Sequence, residues 1–234
     1  MTFRERLAVV EDRMAAACRR ANRERDGVRL MAVSKTHPAS AIGEAVEAGL
    51  TLFGENRVQE FEAKRAAVPE GVEVHLIGHL QSNKAAKAAA IFSAIDTVDS
   101  LRLLERLNDA AGLAGRRLPV LLEIKLSEEA AKTGFDPADP ELQPALEGAA
   151  KMRGVEVCGL MTIAPLDENP GTARSCFRRL RELREELARR HPQVDLRELS
   201  MGMSADFEVA IEEGSTLVRV GTALFGAREY GAAK

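Results

Sequence analysis

A single-domain (β/α)8 barrel preceded by an extra helix is the fold class that this 234-residue sequence predicts. Short strand-like runs alternate with helical stretches along almost the whole chain. The runs are continuous apolar segments of the kind buried on both faces of a parallel sheet, and eight such units fit a chain of this length. A doubly wound open sheet satisfies the same alternation and is the second possibility, because counting strands does not show closure.

The elements follow in order. Residues 2–25 place Phe3, Leu7, Val10, Met14 and Ala17 at helical spacing with charged residues between them, which predicts an amphipathic helix ahead of the main fold. The strand-like runs are "RLMAVSKT" (29–36), "LTLFGEN" (50–56), "VEVHLIGHL" (72–80), "FSAIDTVDS" (92–100), "PVLLEIKLS" (119–127), "VEVCGLMTIA" (155–164), "LRELSMGMS" (196–204) and "TLVRVGTALFG" (216–226). Helices are expected near 39–49, 57–67, 82–91, 100–113, 138–151, 172–190 and 205–213. The chain therefore divides into an N-terminal helix (1–28), a barrel (29–226) and a tail (227–234). The polar loop at 165–173 is too short to separate two domains. Helix 172–190 is rich in arginine, but Glu182, Glu185 and Glu186 alternate with the cations. Arg178–Glu182 and Arg181–Glu185 form i,i+4 pairs, and Leu180, Leu183 and Leu187 form a buried stripe, so it reads as a solvated outer helix.

Composition removes several functional classes. Hydrophobic residues make up 45% of the chain, charged residues 29%, and the net charge is −3, so no basic field attracts nucleic acid or anionic membrane. With one tyrosine, eight phenylalanines and no tryptophan, there is no stacking surface for single-stranded nucleic acid. The cysteines, Cys18, Cys158 and Cys176, are odd in number and form no CxxC pair, which suits reduced thiols in the cytoplasm. The N-terminus "MTFRERLAVVEDRM" lacks the apolar core of a signal peptide, and no apolar run is long enough to span a bilayer.

In a parallel barrel, side chains at the C-terminal ends of the strands surround one mouth. Lys35 ends the first strand, Glu55 and Asn56 the second, and His79 and Gln81 lie near the end of the third. Ser204 ends the seventh, while Arg219, Gly221 and Thr222 fall in or just after the eighth. A desolvated lysine amine is the nucleophile that forms a Schiff base with an aldehyde; the alternative is a lysine that snorkels to solvent. Ser204 stands where a helix should begin, either as a plain N-cap or as part of an anion site with Gly221 and Thr222. The loops after strands seven and eight are the usual phosphate site of such barrels. A nucleophilic lysine facing a phosphate cradle points to a phosphorylated aldehyde.

His75 and His79 resemble a metal pair. On a strand, however, residues i and i+4 lie roughly 13 Å apart, too far to share one ion, so no metal is expected. The sequence also lacks GxGxxG, P-loop and GxSxG motifs.

With Lys35 followed in order by "GENRVQE", "HLIGHLQSNK", "KTGF" and "LSMGMSADFEVAIEEGSTLVRVGTALFG", the chain closely resembles the pyridoxal phosphate homeostasis proteins from about residue 30 to residue 230. These are single-domain relatives of the alanine racemase barrel, of fold type III. The resemblance implies a Schiff base between Lys35 and pyridoxal 5′-phosphate and phosphate contacts from Ser204, Gly221 and Thr222. It places Arg219 against the pyridine nitrogen, with Asn56 and Met201 near the cofactor. Lys132 and His37 have no assigned role; some relatives carry a second lysine at the position of His37. The implied function is a non-catalytic, monomeric carrier that buffers the cofactor or delivers it through transient contacts with apoenzymes. Two other readings stand beside it: a small amino-acid racemase, and a Schiff-base aldolase that does not use this cofactor. Racemases of this fold add a β-rich second domain and a tyrosine base, whereas the sole tyrosine here is Tyr230 in the tail.

Overall fold

In the computed structural model, which describes residues 1–127, 133–165, 167 and 169–226, eight parallel strands close in chain order into a barrel. The strands are β1 (Arg29–Val33), β2 (Leu52–Glu55), β3 (Glu73–Leu76), β4 (Ala94–Val98), β5 (Leu118–Glu123), β6 (Val155–Met161), β7 (Glu198–Met203) and β8 (Leu217–Val220). Helices α2 (Ala39–Glu47), α3 (Val58–Lys64), α4 (Ala85–Ile91), α5 (Leu101–Leu113), α6 (Leu142–Ala149), α7 (Pro170–Arg190) and α8 (Phe207–Glu212) alternate with them, after an N-terminal α1 (Phe3–Arg20). β8 pairs with β1, setting Met31 level with Arg219 and Ala32 level with Val220. This pairing decides between the two predicted architectures in favour of the closed barrel. No helix among the described residues is long and apolar enough to cross a membrane.

The strands are short and buried on both sides, as their continuous apolar runs require. Their outer faces and the helices share one apolar layer that includes Phe53, Leu76, Ile95, Leu160 and Leu199. Separate inner clusters are formed by Met31, Leu52 and Leu217 with Ile77, and by Leu121, Cys158 and Met161. The same strands bury the charged residues His75, Asp96, Glu123 and Arg219. This barrel interior is therefore unusually polar.

Helix α1 is nucleated by a reciprocal cap. The Thr2 hydroxyl accepts from the Glu5 amide at 3.2 Å, and the Glu5 carboxylate accepts from the Thr2 amide at 2.8 Å. The helix stops before Asn22, whose φ of 52° lies in the left-handed region that asparagine tolerates. Phe3, Val10, Met14, Ala17 and Cys18 are buried. The helix packs against α8 and against a short α9 (Thr222–Phe225). Arg13 adds a bidentate pair to Glu208, at 3.0 and 2.8 Å, and lies 4.6 Å from the centre of the Phe207 ring. The extra helix thus braces the segment around strands seven and eight.

Two expectations are corrected. The eighth apolar run does not continue as a strand to 226: pairing stops at Val220 because β1 ends at Val33. The chain then turns at Gly221 into α9, where the Gly221 carbonyl accepts from the Leu224 and Phe225 amides at 2.9 Å each. On α7, Leu180 and Leu187 are buried as expected, and Arg181 pairs with Glu185. Arg178, however, reaches Glu213 at 3.2 Å rather than Glu182, and Arg174 joins it on the same carboxylate at 3.0 Å. Glu213 is nearly fully buried, so it offers the cations a fixed, poorly hydrated partner that Glu182 does not.

His75 and His79 are apart and differently engaged. His75 lies on β3 with Nδ1 3.0 Å from buried Asp96, while His79 lies beyond the strand, 3.0 Å from Asp99. Burial pulls the His75 imidazolium down, but the charge and hydrogen bond of Asp96, joined by Glu73, outweigh it and push the pKa up to about 9. A raised pKa contributes stability that is complete below the ordinary histidine value of about 6.5 and disappears as pH rises through 9. Urea unfolding at intervals from pH 6 to 10 should therefore show a loss of stability across this window that is absent in a His75→Gln variant. At pH 7, Met14→Ala should cost about 2–5 kcal/mol in the same assay, the usual range for emptying a buried methionine site.

Candidate functional site

At the C-terminal end of the barrel lies a cavity of about 290 Å³ lined by Lys35, Asn56, Ser204, Arg219, Gly221 and Thr222, among others. The structure thus brings together six of the seven residues that the family resemblance places around the cofactor, whereas Glu55, His79 and Gln81, also expected at the mouth, do not line this cavity. Met201, the seventh, points into the apolar layer behind β7, and Met203 lines the cavity in its place. In a regular strand the two would share a face, but the β7–β8 register shifts between Ser200 and Met203 and Gly202 has a φ of 95°, which breaks the alternation between them. Lys132 lies outside the described residues, as does Tyr230.

Lys35 sits in a turn directly after β1. The Ser34 amide still continues the ladder, donating to the Gly54 carbonyl at 3.1 Å, and the His37 amide closes the turn by donating to the Ser34 carbonyl at 3.1 Å. Thr36 has a φ of 67°, a left-handed conformation that a β-branched residue adopts at a cost of about 1–3 kcal/mol. Its amide donates to the Glu60 carboxylate on α3, a charge-assisted bond that offsets part of this strain. The His37 ring stacks on Phe225 of α9, with centroids 4.9 Å apart, tying the Lys35 turn to the segment after β8.

Behind the turn lies a charged network that sequence reasoning did not find. Glu55, expected at the mouth, is completely buried; its Oε1 accepts from the Ser34 hydroxyl at 2.7 Å and from Lys64 Nζ at 3.0 Å. Burial raises the Glu55 pKa, while Ser34 and Lys64 act against that rise. Lys64 also donates to Glu60 at 2.8 Å. The i,i+4 spacing of Glu60 and Lys64 was the available sequence signal, but nothing in it indicates the contact with residues 34 and 36.

The opposite wall is built from the loops after β7 and β8. The Ser204 hydroxyl accepts from the Gly221 amide at 3.2 Å and the Ala223 amide at 3.3 Å. It does not cap α8; that position is held by Asp206, whose carboxylate accepts from the Met203 amide at 2.6 Å. Several N–H and O–H donors thus converge on one corner of the cavity. Asn56 is placed by a close approach of the loop after β3: a side-chain carbon at Gly78 would lie 2.2 Å from the Asn56 carbonyl oxygen.

Arg219 forms the cavity floor. It is only 4% exposed and donates to the Ser200 hydroxyl at 2.7 Å and the Thr162 carbonyl at 2.8 Å. Among the described residues no carboxylate lies within salt-bridge distance of it, although Asp96, Asp206 and Glu123 act on it from farther away. Burial pulls its pKa downward, and these anions counter the shift. Next to the cavity, burial raises the pKa of Glu123, whose carboxylate accepts from Thr133 at 3.2 Å. The described residues contain no group of histidine, cysteine and carboxylate side chains arranged to hold a metal.

Comparison with known proteins agrees with this fold. Residues 7–229 match the family model described as alanine racemase, N-terminal domain. The pyridoxal phosphate homeostasis protein of Aquifex aeolicus (strain VF5) is 44% identical over 227 residues, covering 97% of this chain and 98% of that protein. Its namesake from Escherichia coli (strain K12) is 42% identical over 228 residues, covering 96% of each. Among solved structures, PipY of Synechococcus elongatus PCC7942 with PLP bound superposes with a TM-score of 0.84 at 44% identity, over 96% of this chain and all of that one. An alanine racemase of Clostridium difficile 630, at 16% identity and a TM-score of 0.72 over 99% of this chain and 58% of the racemase, shares the fold. By its barrel and by similarity over nearly the full length, this chain belongs to the pyridoxal phosphate homeostasis protein family, within the wider family of the alanine racemase N-terminal domain.

Proposed function

We propose that this chain is a non-catalytic carrier that holds pyridoxal 5′-phosphate on Lys35 and buffers or delivers it. The observation that carries the reading is one small cavity with a lysine on one wall and a corner of converging hydrogen-bond donors on the other. Its volume of about 290 Å³ lies at the lower end of small-molecule pockets, which begin near 300 Å³. Relatives with the same name, and a like structure with PLP bound, support the same cofactor.

The residues present fit the group. Pyridoxal 5′-phosphate brings an aldehyde that a lysine amine captures reversibly and a phosphate that can anchor it. Lys35 would supply the amine. Ser204, Thr222 and the amides of Gly221 and Ala223 would hold the phosphate, since backbone N–H groups next to a glycine can approach an anion closely. Asn56 borders the same cavity. Arg219 is a buried cation whose hydrogen-bond partners are neutral, so its charge is poorly screened on the cavity floor. Such a cation beside a ring nitrogen disfavours protonation there and weakens the ring as an electron sink. That suits holding and exchanging the cofactor better than stabilising carbanions. In this reading the chain works as a monomer and meets recipient apoenzymes transiently.

Borohydride reduction of the loaded protein followed by peptide mapping should place the pyridoxyl mass on Lys35, and Lys35→Ala should lose the visible absorbance. Label mainly on another lysine would overturn the site. Ser204→Ala should weaken pyridoxal 5′-phosphate binding roughly tenfold in an absorbance titration, the effect of one lost hydrogen bond to an anion. Incubation with L-alanine in deuterated water should give no sustained exchange at Cα. Turnover there would establish a racemase instead.

A further inference from the structure

We infer that Lys64 is a positioning residue for Lys35, acting through Glu55 and Glu60 to fix both chain neighbours of the lysine. The inference rests on the reading of Lys35 as the cofactor lysine. An ammonium has three donors and no acceptor. Those of Lys64 are matched by the Ser34 carbonyl at 3.2 Å, Glu55 Oε1 at 3.0 Å and Glu60 Oε1 at 2.8 Å. Each acceptor leads to the Lys35 turn. The Ser34 carbonyl belongs to the preceding residue. Glu55 Oε1 also takes the Ser34 hydroxyl, and Glu60 Oε1 also takes the amide of the following residue, Thr36. One side chain thereby grips residue 34 twice and residue 36 once, with residue 35 held between them.

The strain in the turn shows why a clamp is needed. Thr36 is in the left-handed region, and a released turn would relax toward a conformation that aims Lys35 elsewhere. The network also adds little to stability by itself. Glu55 is fully buried and its Oε2 has no hydrogen-bond partner, a costly placement that an apolar pair of similar volume would avoid. Glu55 and Lys64 do not line the cavity, so any effect on it passes through the turn.

The test compares the full-length protein with Lys64→Met and Lys64→Arg by two measurements. The first is hydrogen exchange at the Thr36 amide without added cofactor. The second is the rate at which pyridoxal 5′-phosphate becomes borohydride-trapped on Lys35. Lys64→Met should exchange Thr36 at least tenfold faster and trap about tenfold more slowly, with Lys64→Arg recovering part of both. Should Lys64→Met not fold, Glu60→Ala removes the Thr36 contact and one Lys64 contact while leaving the Lys64–Glu55 pair, and should give the same two changes at smaller size. A folded variant with wild-type exchange and wild-type trapping overturns the inference. Wild-type protein that traps no cofactor on Lys35 would instead overturn the functional reading, while the exchange measurement still decides whether Lys64 holds the turn.

Discussion

The hydrogen-bonded pairing of β8 with β1 is what creates a site from two ends of the chain. Once Met31 is level with Arg219 and Ala32 with Val220, the strands must emerge together, Val33 beside Gly221. The Lys35 turn then faces the Gly221–Ala223 segment without any special loop. An open sheet with the same elements would leave these residues on opposite edges. The stacking of His37 on Phe225, and the packing of α1 against α8 and α9, brace that junction from outside. Function here depends first on closure and only then on individual side chains.

The second constraint is electrostatic. Inside the barrel wall, charges are buried at successive levels: the His75–Asp96 pair, Arg219 on the cavity floor, and the Glu55–Lys64 network behind the mouth. Each costs desolvation, and each is tolerated because partners are fixed in advance. The solutions differ. His75 is satisfied by an anion, Glu55 by a cation and a hydroxyl, and Arg219 by neutral oxygens with carboxylates farther off. Arg219 is accordingly the cation whose field remains most available to whatever occupies the cavity.

Much of this was legible in the sequence, for identifiable reasons. Continuous apolar strands separated by amphipathic helices revealed the barrel, and polar residues at strand ends revealed the mouth. Lys35, Ser204, Gly221 and Thr222 stood out because each lies where an apolar run ends, and Arg219 because a cation interrupts the eighth run one residue before its end. What was misread turns on quantities a linear sequence does not contain. Met201 and Met203 would share a face in a regular strand and are separated by the register shift between Ser200 and Met203, and the length of the eighth strand depends on where its partner β1 stops. Glu55 reads as a mouth residue from its place before Asn56, yet its carboxylate turns inward because Ser34 and Lys64 offer it hydrogen bonds there. Arg178 has an eligible partner one turn away and takes a better one on another helix.

The most direct test of the central claim is a crystal structure of this protein grown with pyridoxal 5′-phosphate. The account predicts continuous density from Lys35 Nζ to the C4′ carbon and phosphate oxygens within hydrogen-bond distance of the Gly221 and Ala223 amides. A cofactor bound with its phosphate elsewhere, or with the Lys35 amine turned away from C4′, would contradict it.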